Sequence, residues 1–238
     1  YVAKINVAYL YAAAIASVGV YGIVLAGWAS NSKYALLGGL RASAQVISYE
    51  LAQGLAAMTA LVLAGSLNLY EIVNQQVASG LPYALYLPFG LIAFGVYVVA
   101  GVAEANRAPF DLAEAEGELG AGFHTEYSGF KWSMFFMAEY VNMVNISALA
   151  TVLFLGGWWP IPTDGPGLVQ ALGPVVFLLK VALCIFFYIW LRATWPRLRF
   201  DRLMSFGWKV LLPISLVNLL LTAVVVALWP LGVWPFAN

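Results

Sequence analysis

The residues able to do chemistry in this chain are concentrated in one stretch. Seven of its eleven acidic residues, Glu104, Asp111, Glu114, Glu116, Glu118, Glu126 and Glu139, lie between positions 104 and 139, and so does the only histidine, His124. Pro109 lacks an amide donor and biases Ala108 away from helix, so a helix should end near it. Asp111, with Glu114 three residues on, reads as the start of a short helix. On such a helix Asp111, Glu114 and Glu118 share a face and Glu116 points elsewhere. No Lys or Arg stands between Asp111 and Glu126 to pair with them. Like charges at this spacing repel, and beside a low-dielectric wall some of the carboxyls should keep their protons above the ordinary range. They would then exchange protons rather than act as fixed charges. A solvated acidic loop is the alternative.

A second set of charges lies inside apolar runs: Glu50, Glu139 and Lys180. Glu104 closes another such run, with Arg107 three residues on, an ion-pair spacing if the helix continues that far. Ionisable groups in a membrane are costly and should be paired or protonated. Glu50, Glu139 and Lys180 can form a polar line across a helix bundle and carry protons, or they can be ion pairs that tie helices together. Around Glu50, the residues Ser43, Gln45, Ser48, Tyr49 and Gln53 can hydrogen-bond across helices. A lone His124 makes no metal site; a loop hydrogen bond or a partner contact suits it. The single cysteine, Cys184, provides no disulfide and no thiolate set for zinc or an iron–sulfur cluster. Any redox centre must therefore belong to a partner or a bound small molecule. Gly117, Gly120 and Gly122 suggest turns or close backbone approach but form no phosphate-binding signature.

The elements that must position these groups are transmembrane helices. The chain has 238 residues, 63% hydrophobic and 9% charged, where soluble domains carry about 25% charged residues. The net charge is zero, which gives no sign of nucleic-acid binding. The apolar runs predict an all-α integral membrane protein with six spans, roughly 6–28, 43–66, 83–104, 128–156, 170–191 and 208–229. No repeat or linker divides it, so residues 1–238 are expected to form one membrane domain. The chain opens on Tyr1 rather than Met and is expected to be part of a longer one.

The loops after the first, third and fifth spans, with the residues bordering them, hold Lys33, Arg41, Arg107, Lys131, Arg192, Arg197, Arg199, Arg202 and Lys209. Only Lys4 lies on the opposite side. The positive-inside rule then places these loops in the cytoplasm and both ends of the sequence outside. Loop 29–42 is short and mixed, loop 105–127 long and acidic, loop 192–207 basic. An acidic and a basic loop on one face are built to meet a partner. The tryptophans fall near the two boundaries, as interface anchors do.

Four blocks carry a resemblance. E-x-x-R-x-P-F-D-L-x-E-x-E-x-E-L with G-F-H-T-E-Y-S-G runs from Glu104 to Gly129. G-W-A-S-N-S-K-Y-A-L-L-G-G-L-R-A-S-A-Q-V-I-S-Y-E runs from Gly27 to Glu50. F-F-M-A-E-Y closes at Tyr140, and R-A-T-W-P-R-L-R-F-D runs from Arg192 to Asp201. Together they resemble the ND1-type membrane subunit of bacterial NADH–quinone oxidoreductase, respiratory complex I, over nearly the whole chain.

The resemblance implies an eight-helix bundle of which six helices are seen here, in a bacterial plasma membrane. It implies a chain forming the membrane side of a quinone chamber, beside a partner that holds the last iron–sulfur cluster. By position, Glu104, Arg107, Asp111, Glu114, Glu116 and Glu118, with Lys33 and Arg41, correspond to residues of the quinone cavity. Glu50, Glu104 and Glu139, with Lys180, correspond to a proton relay. Glu126, Arg192, Arg197, Arg199 and Asp201 correspond to the face that meets the hydrophilic arm. Ubiquinone or menaquinone would be the substrate, with no metal or cluster bound by this chain and no catalytic centre of its own. Some relatives carry a further glutamate where this chain has Ser17. The homologous membrane anchor of an energy-converting hydrogenase is the second reading; it keeps the relay and discards the quinone. A stand-alone transporter is opposed by the absence of an inverted repeat.

Overall fold

The computed structural model describes residues 5–106, 110, 122–161, 172–196 and 198–228. Among the described residues every regular element is helical. In chain order these are α1 (Ala8–Ala29), α2 (Lys33–Ala64), α3 (Leu69–Ser79) and α4 (Phe89–Glu104). Then come α5 (Gly129–Leu153), α6 (Gly173–Thr194), α7 (Phe200–Phe206) and α8 (Leu212–Leu228). A π-helical turn, Gly207–Leu211, joins α7 to α8, so one rod runs from Phe200 to Leu228. Five rods, α1, α2, α5, α6 and α7–α8, are long and apolar enough to cross a membrane. The all-α membrane class expected from composition is therefore the class observed.

The expected third span, 83–104, is the exception in length. Tyr83–Leu85 form a 3-10 turn and α4 begins only at Phe89, giving 16 residues. Pro88 stands immediately before it, where a missing amide donor costs no intrahelical bond.

Two expected loops are largely helical. Of 29–42, only residues 30–32 break the chain, because α2 starts at Lys33. Alanine, leucine and arginine favour helix, and no proline interrupts them. Charge at Lys33 and Arg41 marks where the helix leaves the apolar slab, not where it ends. At 32 residues α2 is about 48 Å long, against a hydrocarbon core of about 30 Å. Likewise α6 continues to Thr194 and α7 takes up Phe200–Phe206, so only 195–199 remain of loop 192–207.

Helix α3 lies between the second and third expected spans. Asn68 accepts a hydrogen bond from the Tyr70 amide at 3.0 Å, a side-chain N-cap. Ile72 and Val73 bury the inner face, and Gln76 donates to the Val152 carbonyl at 3.0 Å and accepts from the Tyr83 amide at 3.1 Å.

The centre of the bundle is α2, packed against α1, α4 and α8. Its inner positions are small: Ala42, Ala52, Ala56, Ala57 and Ala60 are all buried. Small side chains let helices approach closely, which substitutes for the hydrophobic drive that lipid removes. Large apolar residues such as Tyr21, Leu178 and Phe186 point outward. Three connections gather at one end of the bundle. Tyr127 donates to the Ala26 carbonyl at 3.0 Å, Tyr49 to the Leu203 carbonyl at 2.9 Å, and Arg41 lies 5.7 Å from the Phe200 ring centroid.

Candidate functional site

At that end a cavity of about 760 Å³ opens between α1, the end of α4, the turn Gly122–His124 and α5. One wall is apolar, from Tyr11, Ile15, Val20 and Ile23 of α1. The other carries Glu104, Asn106, His124, Glu139, Asn142 and Asn145. On α5 the polar groups come three apart, so neighbours share a helix side. A site of this size with a mostly apolar lining and a few convergent polar groups is of the kind that takes small molecules.

Glu104 is the last residue of α4 and is buried. Asn142 from α5 and Gln53 from α2 reach its carboxyl, and Glu50 lies close enough to interact with it electrostatically. Three buried phenols, Tyr9, Tyr97 and Tyr188, also feel the Glu104 charge. Four helices and α6 thus converge on one carboxyl. Glu50, half-buried on α2, accepts a hydrogen bond from the Ser17 hydroxyl of α1. Ser17 is therefore a direct partner of Glu50. Glu139 lines the same cavity from α5. So three of the expected relay residues come together.

Lys180 does not join them. Its ammonium donates to the carbonyls of Leu155 at 2.6 Å, Gly157 at 3.1 Å and Trp159 at 2.6 Å. It caps the turn that follows α5 and lies 5.5 Å from the Trp159 ring centroid. Lys33 and Arg41 also stand outside the described cavity: Lys33 is exposed, 5.8 Å from the Tyr34 ring centroid, and Arg41 packs on Phe200. Glu126 and Arg192 are exposed, and Arg199 pairs with Asp201 at 3.6 Å in the open. Arg107, Asp111, Glu114, Glu116, Glu118 and Arg197 lie outside the described residues. Among the described residues no group of three His, Cys, Asp or Glu is placed to hold a metal ion.

Asn142 and Asn145 are site residues that sequence reasoning passed over. The available signal was their spacing: polar groups three and six positions after Glu139 in an otherwise apolar helix. His124 stands out in the sequence, but nothing there places it in a cavity. It is buried, with its ring centroid 4.0 Å from that of Phe123, 5.4 Å from Phe135 and 5.8 Å from Phe136. Its turn is seated backbone on backbone: a Cβ at Gly38 would lie 2.8 Å from the Gly122 Cα, and Gly122 has φ +56°. Only glycines fit that contact.

Burial pushes the His124 imidazole down from its usual value near 6.5 to about 4. Between these values the unfolded chain binds a proton that the folded chain refuses, so stability falls as pH drops below about 6.5 and is independent of this group above it. The slope reaches about 1.4 kcal/mol per pH unit. Thermal unfolding of the purified protein from pH 7 to pH 4.5 should therefore show a shallower loss in His124→Gln than in the parent, with Glu104 and Glu139 kept in both. Equal slopes would remove His124 from the acid response.

A model of the NADH dehydrogenase family matches residues 1–223. The chain is 52% identical over 226 residues to an NADH-quinone oxidoreductase H subunit of Koribacter versatilis, covering 94% of this chain and 64% of that one. It is 53% identical over 222 residues to the H subunit of Rhodospirillum centenum, covering 93% and 64%. It is 54% identical over 227 residues to an H subunit of Geobacter metallireducens, covering 95% and 62%. The chain thus spans less than two thirds of the length of each of these relatives. A match of this extent, on a membrane bundle with a carboxylate-lined cavity, places the chain in the NADH dehydrogenase family.

Proposed function

We propose that this chain is part of the membrane subunit of a proton-pumping NADH–quinone oxidoreductase, forming one side of the quinone chamber and the first carboxylates of the proton path. The observation that carries this reading is the cavity between α1 and α5, with an apolar wall on one side and Glu104, Glu139, Asn142 and His124 on the other. A quinone has a flat, largely apolar ring, an apolar tail and two carbonyl acceptors. Asparagine amides and a neutral imidazole can donate to those acceptors. Its reduction takes two electrons and two protons. The electrons come from a partner's iron–sulfur cluster, since a single cysteine gives this chain no ligand set for one.

The protons are the business of this chain's side chains. Glu104 stands between the cavity, Asn142 and the Glu50 charge, so a change of charge in the cavity alters its proton affinity. Glu139 faces the same space from α5. Carboxyls that line one cavity can pass protons between them when its charge changes. In this reading the end that gathers the connections at 30–32, 122–128 and 195–199 is cytoplasmic and meets the hydrophilic arm. Glu126, Arg192, Arg199 and Asp201 are exposed there for docking.

The test is isolation of the full-length protein from its native membrane in a mild detergent, followed by assay of what accompanies it. Iron–sulfur and NADH-binding subunits with inhibitor-sensitive quinone reduction are expected. A nickel-bearing hydrogenase partner would discard the quinone and keep the carboxylates. Recovery without any redox partner would overturn both.

A further inference from the structure

Helix α2 carries three polar side chains four residues apart, Gln45, Tyr49 and Gln53, on one buried face. Gln53 reaches Glu104. The other two hold backbone outside α2. The Gln45 amide nitrogen lies 2.8 Å from the Ala103 carbonyl, 2.8 Å from the Phe110 carbonyl and 3.2 Å from the Asn106 side-chain oxygen. Its two hydrogens thus serve acceptors at the end of α4 and at Phe110. Ala103 O lies in the last turn of α4 and also accepts from the Asn106 amide at 3.3 Å. Asn106, beside it, takes the left-handed conformation at φ +48° and lines the cavity. One turn along α2, the Tyr49 ring packs on Phe110 with centroids 5.9 Å apart, and its hydroxyl donates to the Leu203 carbonyl of α7 at 2.9 Å. Gly207 leaves room for that ring: a Cβ there would lie 3.3 Å from Tyr49 Cζ. Gln45, Tyr49 and Leu203 are each fully buried.

We propose that Gln45 and Tyr49 form a joint on α2 that fixes the end of α4, Phe110 and the helix α7 relative to Glu104. Both are positioning residues for the cavity, acting through the backbone they hold. A partner that moves either segment then strains the same two hydrogen-bonding side chains, and Gln53 on the same face transmits the strain to the Glu104 carboxyl. This rests on the quinone reading only for its kinetic consequence; the mechanical consequence stands apart from it.

The test uses the assembled complex in native membrane vesicles, with Gln45→Met, Gln45→Glu and Tyr49→Phe. Hydrogen exchange is followed by mass spectrometry over peptides at 100–106 and 198–206. Gln45→Met keeps the volume and loses the donors, so amides in 100–106 should exchange at least about tenfold faster while α8 is unchanged. Gln45→Glu should be worse, because it turns oxygens toward three acceptors. Tyr49→Phe should loosen 198–206. The KM for a short-chain quinone should rise about threefold or more in Gln45→Met. NADH oxidation by an artificial acceptor that bypasses the quinone should stay at the parental rate. A residue that merely packs would alter the amount of complex and leave KM per complex unchanged. Parental exchange and KM in the assembled Gln45 variants would overturn the joint. If neither Gln45 variant assembles, parental exchange at 198–206 in Tyr49→Phe overturns it. A parental complex that reduces no quinone would defeat the proposed function while exchange still reports on the joint.

Discussion

Glu104→Gln should abolish most coupled turnover while leaving the complex assembled. The substitution keeps the size and planarity of the side chain and removes its proton. Several groups meet at the Glu104 carboxyl: Gln53 and Asn142 reach it, Glu50 interacts with it, and it forms part of the cavity wall. A glutamine there still offers an oxygen to the two amides, so the local packing has little reason to change. Removing a positioned proton-transfer group typically costs about 10²- to 10⁴-fold. A relay with several members can retain part of the flux, so a fall of about tenfold or more in quinone reduction, with a matching loss of proton uptake per electron, is the expected result. Glu50→Gln should be milder, because Ser17 can hydrogen-bond to an amide as it does to the carboxylate. Assembled Glu104→Gln complex that reduces quinone and moves protons at the parental rate would remove Glu104 from the path.

The sequence made the site's carboxylates visible and hid its geometry, for a physical reason. A glutamate in an apolar run is costly enough to stand out alone, so Glu50, Glu104 and Glu139 needed no fold to be noticed. Uncharged polar residues carry a smaller penalty and are common between packed membrane helices, so Asn142 and Asn145 looked ordinary until α5 was set against α1 and α4. The spans of α1, α5 and α6 were readable from apolar length. The start of α2 was not, because charge at Lys33 and Arg41 looked like a loop when it marks a helix outlasting the bilayer. The residue whose surroundings were least legible was Lys180. Its charge in an apolar run resembled that of the glutamates, yet its partners are backbone carbonyls, which no sequence pattern displays.

That contrast sets the second large effect. Lys180→Met should destabilise the protein more than it slows any proton step. The ammonium satisfies three carbonyls at 2.6, 3.1 and 2.6 Å around the end of α5. Methionine fills a similar volume and donates nothing. A buried carbonyl left without a partner costs about 1–3 kcal/mol, and the cation also opposes the partial negative charge at the helix C-terminus. Against this stands relief from holding a charge away from water. The net loss should be about 3 kcal/mol, near the upper end for a single substitution. For a chain of this size that corresponds to a fall in Tm of about 6 °C or more. Lys180→Arg keeps both charge and donors and should recover at least half of the loss. If Lys180 were instead a proton carrier, Lys180→Met would unfold at the parental temperature and fail to pump. Measuring Tm and proton uptake on the same assembled preparation separates the two, since a cap moves the first and a relay moves the second.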